Sequence, residues 1–362
     1  MSRIAVLDTG ICPKHLRCKS FASYKICEDG NAPEETSHGT LCARVLDDLA
    51  EDYELISIQI LPNQGGNKRK SLGKIEHFRK GLELCLELQT DLVCMSAVSS
   101  VLSDSAYLYD AAKKLAAQSV LLAALDNRRF LTVPTAYPFV LGVQSDWANL
   151  LSPGELAYEK EDPYFANVYA NCEISSLRRL HCAPSNSFAV PAAAAKVNQW
   201  LHEKRDIEEA VCSLRAYPVT QKWKGAASGW KQEPGREIPL VWMHGQDEKR
   251  VYEVCRSVMD ELYGRYQIQA SGLVSKTFGY DVRLRELSDG QNLKEVVQFM
   301  EHHYKTDLIF LLAGREQVER DVPNQDVTVQ ICGHQVRITY EKQCSECGVE
   351  TLAEEIYLAL RP

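Results

Sequence analysis

No run of apolar residues in this chain approaches the ~18 needed to cross a bilayer. The longest, such as Ser119–Leu125 and Leu308–Ala313, are far shorter, so no membrane segment is expected. A basic excess is missing too: 41 Lys+Arg stand against 49 Asp+Glu, for a net charge of -8. Binding the phosphate backbone needs clustered Lys/Arg, so nucleic acid is not expected as the main partner. A secretory segment is not expected either. Met1-Ser-Arg3 leads straight into Ile4-Ala-Val-Leu7, without an apolar h-region or a cleavage site, and the mature fold is expected to start at once. No internal repeat links the two halves. Cysteine, by contrast, is plentiful. The 13 residues are an odd number, scattered singly, which with no export signal reads as reduced thiols in a cytoplasm. Cys85, Cys94 and Cys255 sit in apolar runs, where Cys behaves as a small hydrophobe. With 362 residues, 45% of them hydrophobic and 25% charged, the chain suits about two folded domains and excludes disorder as its main state.

Strand and helix patterns alternate over the first two hundred residues. Ile4–Leu7, Leu55–Leu61, Leu92–Met95, Val120–Leu125 and Phe139–Val143 read as strands, and Ile75–Leu88 and Ala106–Ala117 as helices. Strands apolar on both faces and separated by helices predict an α/β fold, a mostly parallel sheet with helices on both faces. Ser152–Leu180 loses this rhythm. A helix with four consecutive alanines then runs from Val190 to about His202, with Pro191 fitting its first turn. Pro218, Gly225, Ser228-Gly229 and Pro234-Gly235 mark a linker. The expected organisation is a domain over 1–214, a linker over 215–237 and a smaller α/β domain over 238–362. Within the latter, Ile238–Met243, Tyr266–Ala270 and Asp307–Leu312 read as strands, and Glu248–Tyr263, Leu293–His303 and Thr351–Leu360 as helices. Val327–Cys332 and Gln335–Tyr340 flank a hairpin turn at Gly333-His334.

Three segments carry reactive side chains at places where open α/β sheets build sites. Val6-Leu-Asp8-Thr-Gly10 puts a carboxylate at the end of a buried strand, and Ser37-His38-Gly-Thr40 puts an imidazole at a helix start. Ser185-Asn-Ser187-Phe-Ala-Val-Pro191 puts a hydroxyl before the alanine-rich helix. A serine hydroxyl attacks only if a base takes its proton. Histidine titrates near neutrality and serves as that base, and a carboxylate holds the imidazole tautomer. Each residue also has a plain structural use: Asp8 in a turn, His38 on a surface, Ser187 as a helix cap.

In the order Asp8, His38, Ser187 the chain resembles a subtilisin-family serine peptidase over roughly residues 1–205. Asp8-Thr-Gly10 and His38-Gly-Thr40 match the family's motifs unchanged, and Ser187-Phe-Ala-Val-Pro191 is similar to its serine motif. Ala123-Ala-Leu-Asp-Asn127 resembles the segment carrying the family's oxyanion-hole Asn. The resemblance implies a subtilisin-like fold and a triad of Asp8, His38 and Ser187, with the Asn127 amide and the Ser187 N–H as oxyanion donors. It further implies peptide bound along Ser96-Ala97-Val98 as an added strand. The expected substrate is a peptide or small protein.

Departures from the family pattern shape the expected specificity. Ser185-Asn186 stands where the family has Gly-Thr, and Asp126 where it has Gly, placing a carboxylate near the oxyanion. Val98 stands where it has Gly, which narrows the pocket at the cleavage position. With Asp8 this near the start, a pro-segment like that of secreted relatives is not expected. A narrow peptidase is expected, similar in its pattern of use to enzymes that remove leaders from ribosomally made bacterial peptides. The other reading is a pseudopeptidase scaffold that binds a peptide. No cofactor is expected. Cys332-Gly-His334 and Cys344-Ser-Glu-Cys347 are spaced too closely for common zinc modules, and no acidic loop suits calcium. The oligomeric state is not legible.

Overall fold

The computed structural model describes residues 1–63, 73–160, 165–204, 207–215, 238–288, 290–333 and 335–361. The expected linker, from 216 onward, lies outside the described residues, as do Gln64–Gly66 of the loop after Leu61 and His334 of the hairpin turn. The chain divides into two compact units, Met1–Ser100 with Asp104–Lys231, and Val101–Ser103 with Gln232–Pro362. No described helix is long and apolar enough to cross a membrane. None of the cysteines is in a disulfide.

The first unit is built on strands β1 (Ser2–Asp8), β2 (Ser20–Lys25), β3 (Tyr53–Gln59), β4 (Leu92–Met95), β5 (Val120–Ala124), β6 (Leu141–Ser145), β7 (Leu156–Tyr158) and β8 (Val168–Ala170). They are ordered β2-β3-β1-β4-β5-β6-β8-β7, and every neighbouring pair is parallel except β7 with β8. Central strands are buried on both faces, as their continuous apolar runs require. The helices are α1 (His38–Leu49), α2 (Ile75–Glu87), α3 (Ser105–Leu115), α4 (Ser175–Arg179), α5 (Asn186–Lys204) and α6 (Ile207–Arg215). α1 and α5 share one core cluster with Ile4, Val6, Cys94, Leu122 and Val143. The opposite face meets α2, where a Cβ on Gly81 would lie 3.1 Å from Leu7.

Ala192–Ala195 are all buried. Their small side chains bring α5 close to the sheet, and each larger substitution there would overpack the core. The helix starts earlier than its apolar pattern suggests, at Asn186. Pro191 is therefore in the second turn and not the first. Lacking an N–H, it leaves the Ser187 carbonyl without its intrahelical donor.

In the second unit the strands are β9 (Leu240–Gly245), β10 (Ala270–Val274), β11 (Leu284–Glu286), β12 (Leu308–Leu312), β13 (Val327–Cys332), β14 (Gln335–Tyr340) and β15 (Gln343–Gly348). Their order is β11-β10-β12-β9-β13-β14-β15, parallel up to β13 and antiparallel beyond. The helices are α7 (Glu248–Tyr266), α8 (Leu293–His303), α9 (Arg315–Asp321) and α10 (Leu352–Ala359). Both units are thus mostly parallel α/β structures.

The strand expected at Tyr266–Ala270 begins at Ala270 instead. α7 runs through Tyr266 and stops where Gln267 takes a left-handed φ of 58°, a common helix ending. Cys344 and Cys347 are three residues apart on β15, so they fall on opposite faces of the strand.

Candidate active site

The two unchanged motifs clasp each other. Asp8 ends β1, fully buried, and its Oδ1 accepts from the Thr9 N–H at 2.7 Å. Thr9 Oγ1 in turn accepts from the Gly39 N–H at 3.0 Å, satisfying an orphan donor at the start of α1. Thr40 Oγ1 donates to the Glu34 carbonyl at 2.7 Å and accepts from the Cys12 N–H at 3.0 Å. Gly39 is required here: a Cβ would sit 2.5 Å from the Gly10 carbonyl oxygen. The motif residues around Asp8 and His38 are therefore the ones that seat α1 against the end of β1.

That seating delivers His38 to Asp8. His38 Nδ1 lies 2.8 Å from Asp8 Oδ2 and 3.0 Å from Oδ1. The carboxylate's charge holds the imidazole well above its ordinary value, against the opposing effect of burial. With Nδ1 committed to Asp8, Nε2 is the nitrogen left to exchange a proton. The His38 side chain is 40% exposed, so this edge is open. Its ring stacks on Phe188, with centroids 5.6 Å apart and planes at 22°.

Ser187 is the second residue of α5. Its carbonyl, released by Pro191, accepts from Ser96 Oγ at 2.9 Å and faces Cys42 Sγ at 3.7 Å. The Cys42 thiol is fully buried, 3.9 Å from His38 Nδ1 and 3.5 Å from Ser96 Oγ. It therefore links three of the residues singled out by sequence. Ser187 Oγ itself donates to the Ser96 carbonyl at 3.5 Å, and no His38–Ser187 hydrogen bond occurs among the described residues. Such a bond is often loose before substrate arrives.

Asn127 is exposed and held at one end. Its Oδ1 accepts from the Asn186 N–H at 2.9 Å, which leaves Nδ2 as the outward donor. Asn186 is buried, and its side chain is satisfied throughout: Nδ2 donates to the carbonyls of Leu125 and Asp126 at 3.0 and 3.2 Å, and Oδ1 accepts from the Ser145 N–H at 2.8 Å. The departure at position 186 thus ties the residue before Ser187 to β6 and to the turn after β5. Asp126 Oδ1 is engaged by the Arg128 N–H at 2.7 Å, a turn contact.

Ser96, Ala97 and Val98 follow β4 directly. Ser96 is buried beneath Ser187, whereas Ala97 and Val98 are half-buried. Val98 packs on the core cluster of α1 and α5. Ser99 is bonded both ways to Val133, at 3.0 and 2.8 Å.

Asp8, His38, Ser187, Asn127 and Ser96 therefore converge at the carboxyl end of one sheet. Sequence reasoning passed over Cys42 and Phe188, and read Asn186 only as a departure from the family pattern. The spacing of His38 and Cys42, four residues apart, was a usable signal, since i and i+4 share a helix face.

The site is thus an Asp–His pair and a serine at a helix start, set on a mostly parallel α/β sheet. No protein-family model matches the chain, and no curated protein matches it. Among solved structures, it is similar to a lanthipeptide protease, at 15% identity and a TM-score of 0.41 over 58% of this chain and 77% of that one. It is also similar to the epidermin leader peptide processing serine protease of Staphylococcus aureus, at 12% identity and a TM-score of 0.45, covering 61% and 70%. A third is the nisin leader peptidase of Lactococcus lactis, at 13% identity and a TM-score of 0.41, covering 61% and 83%.

Proposed function

We propose that this chain is a subtilisin-like serine endopeptidase of narrow specificity that matures a ribosomally made peptide, by leader removal, in a reducing cytoplasm. The observation that carries the reading is the Asp8 carboxylate on His38 Nδ1, beside a serine at the start of a buried helix. Unpaired cysteines throughout the chain support the compartment.

In the proposed reaction Ser187 Oγ turns from the Ser96 carbonyl toward the substrate. At 3.5 Å that hydrogen bond is at the limit of useful geometry, so little is lost. His38 Nε2 takes the hydroxyl proton as Oγ bonds to the scissile carbon, and Asp8 stabilises the resulting imidazolium. The oxyanion is received by Asn127 Nδ2 and the Ser187 N–H. Collapse breaks the C–N bond, and His38 returns its proton to the leaving amine. A water then repeats the sequence on the acyl-enzyme.

A second reading has one observation in its favour: Ser187 bonds Ser96 and not His38, as in a scaffold that holds peptide without cutting it. A fluorophosphonate probe separates the two. Labelling of wild type but not of Ser187→Ala, with peptide hydrolysis falling about 10⁶-fold in the variant, supports the peptidase. Folded wild-type protein that stays unlabelled refutes it.

A further inference from the structure

The second unit has a crevice of its own. β9 and β12 are neighbours, and their onward connections leave on opposite faces. α7, which follows β9, contributes Val251, Cys255 and Met259 to one core cluster with Val241, Met243 and Phe310. α9, which follows β12, packs against α8, whose buried Val297 and Met300 lie outside that cluster. Two adjacent strands with connections to opposite faces open a crevice at their carboxyl ends, where α/β sheets take ligands.

A cleft of about 230 Å³ lies there, lined among others by Trp242, His244, Glu248, Lys276, Phe278 and Arg315. The Trp242 and His244 rings stack at 4.2 Å and 24°, forming a flat wall. Trp242 is locked by donating Nε1–H to the Ala313 carbonyl at 3.2 Å. Burial and the charge of Arg315 push His244 below its ordinary value, so it faces the cleft neutral. No described residue hydrogen-bonds its ring nitrogens.

The charges are equally specific. Lys276 Nζ lies over the Phe278 ring at 5.5 Å and has no carboxylate partner among the described residues. Arg315 gives Nε to Glu319 at 2.7 Å, leaving its terminal amino groups for another acceptor. Against these two cations the lining holds one carboxylate, Glu248. That balance suits a single negative charge and opposes a phosphate dianion.

We propose that this cleft binds a small carboxylate with an apolar or aromatic body, its anionic end beside Lys276 and Arg315 and its flat part against the Trp242–His244 stack. A free organic acid and the end of a peptide chain both present this chemistry. The site is independent of the peptidase reading.

Full-length Ser187→Ala protein, in which no probe is hydrolysed by that residue, is titrated calorimetrically with N-acetylphenylalanine and with its amide. Saturable binding of the acid is expected, with the amide weaker by about tenfold or more, because it forfeits a charge-assisted bond. Lys276→Ala with Arg315→Ala, both exposed positions, should cost the acid a similar factor without moving the thermal midpoint. Short phenylalanine-ended peptides with free or amidated termini identify the source: tight binding of the free-acid peptide assigns a chain end, and its exclusion assigns a free acid. Equal binding of acid and amide, no saturable binding of either, or indifference to the double substitution would overturn the proposal.

Discussion

Replacing Asn186 with alanine tests whether the buried amide organises the active site or merely fills it. The side chain's three hydrogen bonds, to Ser145, Leu125 and Asp126, would vanish together. The Asp126 carbonyl keeps the Arg129 N–H at 2.8 Å. That strands two groups, the Ser145 N–H and the Leu125 carbonyl. At ~1–3 kcal/mol for each stranded buried group, the loss of stability is about 2–6 kcal/mol. The same change frees the backbone at 186, whose N–H holds Asn127 Oδ1. Removing an oxyanion donor outright costs ~10²–10³ in turnover, so a loosened donor should lower kcat by up to about 10² and leave KM nearly unchanged. Denaturant midpoints give the first quantity. Steady-state kinetics with a cleaved peptide, and the affinity of a peptide boronate that mimics the tetrahedral adduct, give the second. A large drop in midpoint with unchanged kcat and boronate affinity would refute the positioning role. An unchanged midpoint would refute the hydrogen-bond arrangement itself.

Four other outcomes follow from the site. His38 must be neutral to accept the serine proton, so kcat/KM should rise with pH through a midpoint above the ordinary ~6.5, and Asp8→Asn should bring that midpoint down; a wild-type midpoint at or below 6.5 would contradict the Asp8 interaction. The same raised value stabilises the fold fully below the unfolded-state pKa, and this contribution is lost as pH rises through the folded-state value; a pH series of denaturant midpoints should show that loss in wild type and not in Asp8→Asn. Val98→Gly should broaden the residues accepted at the cleavage position, read by sequencing the products of a peptide library, because a β-branched side chain would no longer fill that space; an unchanged preference would remove Val98 from the pocket. Gly39→Ala should destabilise by roughly 1–3 kcal/mol through its clash with the Gly10 carbonyl and should slow hydrolysis by moving His38; a denaturation curve matching wild type would show that the α1 start has room.

Most central strands of both units were legible because burial on two faces forces continuous apolar runs, as in Leu92–Met95 and Leu308–Leu312; β10 was misplaced because Ser271-Gly272 interrupts its apolar run. β2 and β15 were not, since their mostly exposed side chains carry no such pattern, and β7, β8 and β11 are too short to show one. The start of α5 was placed late for a different reason. Ser185-Asn186-Ser187 reads locally as a cap, whereas Asn186 is satisfied by partners 41, 60 and 61 residues away. Asp8, His38, Ser187 and Asn127 could be nominated from short motifs. Cys42 was harder to nominate, because a buried thiol looks in sequence like any small core residue and only its spacing of four from His38 sets it apart.

The attachment of Ser187 to distant strands also sets a clock. Its carbonyl is held from the residue after β4, and the residue before it from the turn after β5 and from β6. His38 precedes Ser187 by about 150 residues, an interval of roughly 7–30 s of synthesis at ~5–20 residues per second. On the proposed reading, the nascent chain has its base and carboxylate throughout that interval but lacks Ser187. On that reading hydrolysis waits for the last-made of the three motifs, so their order along the chain would keep a peptidase silent while it is being made.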